Sequence, residues 1–158
     1  NYQLKISKNP DLTQYSSCKF DSITMWHVLE HIPEINRTIK EAKRILKKEG
    51  RIIIAVPNYK SWDAKYYKEY WAAWDVPIHL WHFSKATIEK IFKKHGFFLK
   101  KTKPMIFDSF YVSILSEEFA SGKKNFVKGF IIGLISNAHA LIRKTGHSSM
   151  IYVFEKKS

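Results

Sequence analysis

A chain of 158 residues, 45% of them hydrophobic, can bury one sizeable core, so a single compact domain is expected. The formal net charge of +13 suits an anionic lipid surface, nucleic acid or an acidic partner, and equally a solvated lysine-rich surface; it carries no information about fold. A single cysteine, Cys18, excludes an internal disulfide framework and fits a reducing, cytoplasmic setting.

In chain order, residues 21–25 join an acid to Ile23 and Thr24 and read as a strand about to enter a turn. Pro33 then suits the first turn of a helix, and Glu34 favours its positive end. Ile35, Ile39, Ala42, Ile45 and Leu46 recur at three- and four-residue spacing, one apolar face of an amphipathic helix that Gly50 is expected to stop. Residues 52–56 are an unbroken apolar run, the pattern of a strand buried on both faces, and Pro57 ends it. Strand, helix and strand in this order make a parallel crossover unit.

Beyond Asn58 the composition changes. Residues 59–83 are crowded with tryptophan and tyrosine and read as a lid-like insertion. Regular structure returns at Ser84, an N-cap, with Ile88, Ile91 and Phe92 on one helical face and Gly96 closing it. A strand is expected over residues 97–102, then a second insertion of helices over 108–145, with Asp108 capping the first. A last strand follows over 149–154. The apolar run 126–142 is interrupted by Lys128, Asn137 and His139 and falls short of the roughly 20 residues a span needs. An integral membrane protein is therefore not expected.

Several of these segments carry a resemblance. Phe20-Asp21, Leu29-Glu30-His31-Ile32-Pro33, the run from Arg44 to Gly50, and Val56-Pro57-Asn58 resemble class I S-adenosylmethionine-dependent methyltransferases. The nearest likeness is to the ubiquinone-biosynthesis type of O-methyltransferase. Pro77-Ile78-His79-Leu80-Trp81-His82-Phe83-Ser84 and Lys94-His95-Gly96-Phe97 extend the match, which covers residues 10–105. The resemblance implies an α/β fold, a partial Rossmann-like sheet that is mostly parallel with an antiparallel edge strand and is flanked by helices. It also implies S-adenosylmethionine as cofactor. In that family a glycine-rich turn after the first strand and an acid after the second grip the cofactor, because backbone must approach such a ligand closely. No glycine precedes Gly50 here. Residues 1–158 are accordingly expected to be the C-terminal portion of a methyltransferase domain, with residues 2–7 a candidate for the family's third strand. Such a chain alone is expected to bind cofactor poorly and to be inactive.

By the same resemblance, Met25, Trp26 and His27 end the strand that walls the cofactor cleft, and Asp11 and Leu12 match an acid-plus-apolar pair beside the adenine ring. A surface turn is the competing reading for Asp11. His79 and His82 are the candidates for catalysis: methyl transfer is an in-line displacement that often needs a hydroxyl deprotonated, and an imidazole near neutral pKa suits that role. The alternative is that they only orient the lid. His27, Glu30 and His31 together offer a nitrogen–oxygen donor set of the kind that suits divalent ions, but helix capping and backbone hydrogen bonds account for Glu30 and His31 as well, and no metal is assigned. The acceptor is expected to be small or lipid-like, methylated at oxygen. Further readings remain open: a homo-oligomer through an exposed sheet edge and, for the basic apolar helix in the second insertion, a peripheral membrane contact, a dimer contact or packing on the core. A non-catalytic basic module for an anionic membrane or nucleic acid is the alternative function, although no nucleic-acid motif supports the latter.

Overall fold

The computed structural model describes residues 11–143 and 146–156. The candidate strand at residues 2–7 lies outside the described residues. Four strands, β1 (Phe20–Trp26), β2 (Leu46–Pro57), β3 (Phe97–Pro104) and β4 (Ser149–Lys156), form one sheet in the order β1-β2-β4-β3. β1 and β2 are parallel and connected through α1 (Ile35–Ile45), as the hydrophobic pattern requires. β4 is antiparallel to both of its neighbours, so the reversed strand lies one place inside the edge and β3 occupies the edge itself. Three strands therefore share a direction. Among the described residues β1 pairs only with β2, leaving its outer side open.

One face of the sheet carries the core. Ile52, Ile54 and Val56 of β2 and Tyr152 and Phe154 of β4 pack under Ile35, Ile39 and Ala42 of α1 and under Ile88 and Phe92 of α3 (Lys85–Lys94). The stacked rings of Phe92 and Phe154, 4.4 Å apart, join α3 to the sheet. α3 begins with a reciprocal capping box between Ser84 and Thr87, as the N-cap reading expects. On the opposite face Ser22, Thr24 and Trp26 of β1 are exposed and Ile53 of β2 is only half-buried. β2 is therefore fully buried on both faces only towards its end.

α1 stops earlier than its apolar pattern suggests. Its last residue is Ile45, and Leu46 is already extended (φ −72°, ψ 137°), fully buried and paired with Phe20. The register then slips, so that residues 47–50 bulge from β2 with Glu49 at φ 63°. Gly50 serves this bulge rather than the helix end: a Cβ there would meet the Lys47 carbonyl oxygen at 2.9 Å.

The two expected insertions pack on each other. α2 (Trp62–Tyr67), two 3₁₀ turns (Lys68–Tyr70 and Ala72–Trp74), α4 (Asp108–Ser121) and α5 (Phe126–Arg143) enclose a second, smaller cluster around Tyr67, Trp71, Val112 and Ile132. Polar bonds hold it together. Asp63 is fully buried and accepts from Trp71 Nε1 (2.8 Å), Ser136 Oγ (2.7 Å) and Ser148 Oγ (2.6 Å), joining α2, α5 and the approach to β4. Buried Glu117 of α4 accepts from Tyr67 Oη at 2.9 Å and pairs with Lys128 of α5 at 3.0 Å. Burial first, and then the Glu117 carboxylate, push the Tyr67 hydroxyl far above its usual range, so it stays a donor.

Candidate functional site

The strands β1 and β2 end on the same side of the sheet, and two cavities open there. The first, of about 540 Å³, lies between the Asp11–Leu12 turn, Met25 and Val28 at the end of β1, and the start of α1. Asp11 accepts from Thr13 N (3.0 Å) and Thr13 Oγ (2.6 Å), and these bonds hold its carboxyl below the ordinary value. Leu12 packs on the core beneath it. Asp11, Leu12 and Met25 are thus brought together along one wall, an apolar surface with a carboxylate at its rim. Trp26 is half-exposed and lines neither cavity.

The second cavity, of about 480 Å³, lies between the end of β2 at Pro57, the lid turn carrying Ala72, Ala73, Asp75 and His79, and the α4 face bearing Asp108, Tyr111 and Leu115. His27 belongs to this cavity rather than to the first. The residue follows β1 directly and lies in the left-handed backbone region (φ 51°), uncommon for a residue with a side chain. Its Nδ1 meets Glu30 Oε1 at 3.2 Å and its Nε2 meets Asp108 Oδ2 at 3.0 Å. Both ring nitrogens must donate, so His27 is an imidazolium; the Asp108 bond, followed by the Glu30 bond, lifts its pKa to about 9. Burial, the largest single influence, pushes Asp108 up, but the bonds from His27 and Ser149 and the His27 charge together hold the carboxyl below its usual value. Asp108 is therefore not the helix cap that its position suggests: Phe107 occupies the N-cap and makes no side-chain cap bond.

His79 differs from His27 in a way that matters for chemistry. Its Nδ1 lies 2.9 Å from the Ala73 carbonyl, which only accepts, so Nδ1 carries the proton. That leaves Nε2 as the ring nitrogen without a backbone partner, with Asp75 Oδ2 3.9 Å away. His82 donates from Nε2 to the Trp74 carbonyl (2.8 Å), lies edge-on to the Trp74 ring, and lines neither cavity. The lid aromatics are similarly occupied: Trp71, Trp74 and Trp81 each donate from Nε1 to a protein oxygen.

Fully buried Glu30 anchors the turn. Its backbone oxygen accepts from Leu80 N (2.8 Å) and Trp81 N (3.2 Å), fastening the lid segment to the turn after β1. One donor atom each from Glu30, His31 and His79 lies within 4.8 Å of the others, a trio that replaces the sequence-adjacent His27 with His79 from the lid. Sequence reasoning missed Asp75, Asp108 and Tyr111 as cavity residues. Only the fold brings α4 across the end of β1, and no local spacing signals it.

This architecture belongs to a large class: a parallel strand pair extended by an antiparallel strand, with clefts beyond the strand ends. A family of methyltransferase domains matches residues 3–101, and the chain belongs to that family. The match does not single out the ubiquinone-type group. No match is found among curated proteins. Among solved structures, the cyclase SpnF is similar at 15% identity (TM-score 0.57), covering 93% of this chain and 54% of its own. A SAM-dependent methyltransferase of Thermotoga maritima, described as a possible histamine N-methyltransferase, is similar at 18% identity (TM-score 0.56), covering 92% of this chain and 59% of its own. Phosphoethanolamine N-methyltransferase 2 of Haemonchus contortus, solved with S-adenosyl-L-methionine, is similar at 18% identity (TM-score 0.53), covering 92% and 35%. The chain spans little more than half the length of the first two and about a third of the last. At these identities the likeness is one of fold, and a cyclase among the neighbours illustrates how one fold carries different reactions.

Proposed function

We propose that the protein carrying this chain transfers a methyl group from S-adenosylmethionine to the oxygen of a small or lipid-like acceptor, with His79 as the general base. The observation that carries this reading is the placement of His79: its Nδ1 donates to the Ala73 carbonyl, which leaves Nε2 to serve the cavity of about 480 Å³ that His79 lines beside the strand ends. Family membership supports methyl transfer as the reaction class.

Asp11, Leu12 and Met25 would hold the adenosyl part of the cofactor, the carboxylate accepting hydrogen bonds and the two apolar side chains flanking a planar ring. When bound, S-adenosylmethionine supplies an electrophilic methyl group. The chain's own residues do the rest. The second cavity would position an acceptor hydroxyl against His79 Nε2, which would take its proton while the methyl group passes to that oxygen and the S–C bond breaks, its electron pair leaving on sulfur. Asp75, 3.9 Å from that nitrogen, stabilises the imidazolium that results. His27, already protonated between two carboxylates, serves as a fixed cation and proton donor rather than a base. The glycine-rich turn that grips the cofactor elsewhere in the family is absent from these 158 residues, so cofactor binding by this chain alone is weak.

The test is a methyl-transfer assay on the protein that carries this chain, using labelled S-adenosylmethionine and extracted lipids or small hydroxylated acceptors. His79→Gln should lower kcat by about 10²- to 10⁴-fold with KM for the cofactor little changed. It should also remove the acidic limb of the pH–rate profile. An unaltered kcat would remove His79 from the reaction.

A further inference from the structure

α5 is packed inside out. Apart from Ile132, its inward stripe is small or polar: Gly129, Gly133, Ser136, Asn137 and Ala140 are all buried. The glycines let the α4 backbone approach so closely that a Cβ on Gly129 would lie 2.7 Å from Ile114 Cα, and one on Gly133 would lie 2.9 Å from Phe110 Cα. The outward stripe is large and apolar, with Val127 and Leu141 each 72% exposed, Leu134 54% and Ile131 49%. A helix on a protein that meets only water shows the reverse.

Cations flank this stripe, two of them, Lys124 and Lys128, lying against Glu118 and Glu117 of α4 at 3.6 and 3.0 Å. Residues 119–154 contain Lys123, Lys124, Lys128, Arg143 and Lys144 and no carboxylate. The inward face is bonded into the domain through Ser136 to Asp63 and through Asn137 Nδ2 to the Ile106 carbonyl. Although α5 is long and apolar enough to cross a membrane by length and composition, this attachment leaves only one side free. The second cavity adjoins the same region: Tyr111 and Phe119 of α4 line it and are themselves 66% and 59% exposed.

We infer that the α4–α5 hairpin docks on an anionic lipid bilayer, lying in the interface with the outward stripe of α5 among the acyl chains and its cations at the headgroups. Apolar burial and a basic flank together are what such a helix requires. Docking places the mouth of the second cavity at the membrane surface, where a lipid-like acceptor is within reach. The inference rests on the surface of the hairpin and not on the methyl-transfer reading, so either can fail without the other.

Vesicle flotation of this chain tests it. With phosphatidylcholine vesicles containing phosphatidylglycerol the chain should float, and pure phosphatidylcholine or high salt should reduce the bound fraction by about tenfold. The doubly substituted Val127→Glu, Leu141→Glu chain should keep its circular dichroism and Tm while losing at least about tenfold in binding. Ile131→Trp should show quenching by shallow but not by deep brominated lipids. Three results would overturn the inference: no flotation, deep quenching, or a dimer in solution that the double substitution dissolves while vesicle binding is absent.

Discussion

The sheet layer and the helical unit of α2, α4 and α5 divide the chain into two regions built on opposite plans. Beneath α1 and α3 the interior is aliphatic and aromatic (Ile39, Ile54, Phe92, Phe154) and lysines cover the outside. In the helical unit the fully buried side chains include Asp63, Ser109, Ser113, Ser116 and Ser136, while phenylalanine, leucine and isoleucine face outward. The first region is held by apolar area removed from water, which is non-directional and tolerant of small shifts. The second is held by directional bonds to buried carboxylates and by close backbone approach, so it has few alternative packings. The lid turn shares that rigidity: His79 bonds to the Ala73 carbonyl, next to the Ala72 amide that donates to Ser116 Oγ at 2.8 Å.

Each region should break by its own kind of substitution. Asp63→Ala strands three buried donors and should cost about 3–5 kcal/mol. Phe92→Ala empties a core position of the sheet and should cost a similar amount, about 3–5 kcal/mol. Hydrogen exchange tells them apart. Asp63→Ala should raise exchange first in α2 and α5 and leave β2 and β4 protected, whereas Phe92→Ala should loosen the sheet itself. Identical exchange patterns would mean that the two regions open as one.

A smaller effect sharpens the contrast within a single helix. Gly129→Ala adds one methyl group against the Ile114 backbone, which cannot move aside as a flexible side chain would, and should cost about 1–3 kcal/mol. Ala138→Leu, on the exposed face of α5, adds far more volume and should stay within about 0.5 kcal/mol of the parent in denaturant melts. Equal costs would contradict the inside-out packing.

How much of this was legible depended on range. The β1–α1–β2 unit follows from the spacing of Ile35, Ile39 and Ala42 and from the apolar run at 52–56, because periodicity is a local property. The boundary of α1 was not legible: pairing of Leu46 with Phe20, a tertiary contact, ends the helix before Gly50. The order β1-β2-β4-β3 was only partly accessible, since nothing local to residues 149–156 says that this strand enters between two others. For the site, the wall at Asp11, Leu12 and Met25 came from resemblance and the structure gathers those residues. His79 was a candidate base by residue type and resemblance, but the hydrogen bonds that set it apart from His27 were not legible, because their partners lie 6 and 81 residues away: Ala73 for His79, Asp108 for His27. The composition of α5 announced an apolar face and nothing of which side it turned inward.

The smallest effect tests the charge on His27. A folded pKa of about 9 against an ordinary 6.5 means that the ring holds its proton more tightly when folded. The stability this adds is fully present below pH 6.5 and is lost as pH rises through about 9. Asp108 has the opposite sign: its folded pKa lies below 3.8, so its contribution is present above that value and is lost as pH falls through the folded pKa. The pair therefore contributes fully between roughly pH 4 and 6.5. In an NMR titration the His27 ring protons should shift with a midpoint near 9, and Asp108→Asn should bring that midpoint down because the first of its two anchors loses its charge. A His27 midpoint near the ordinary 6.5, or one that Asp108→Asn left in place, would mean that the Asp108 bond does not hold this ring as a cation.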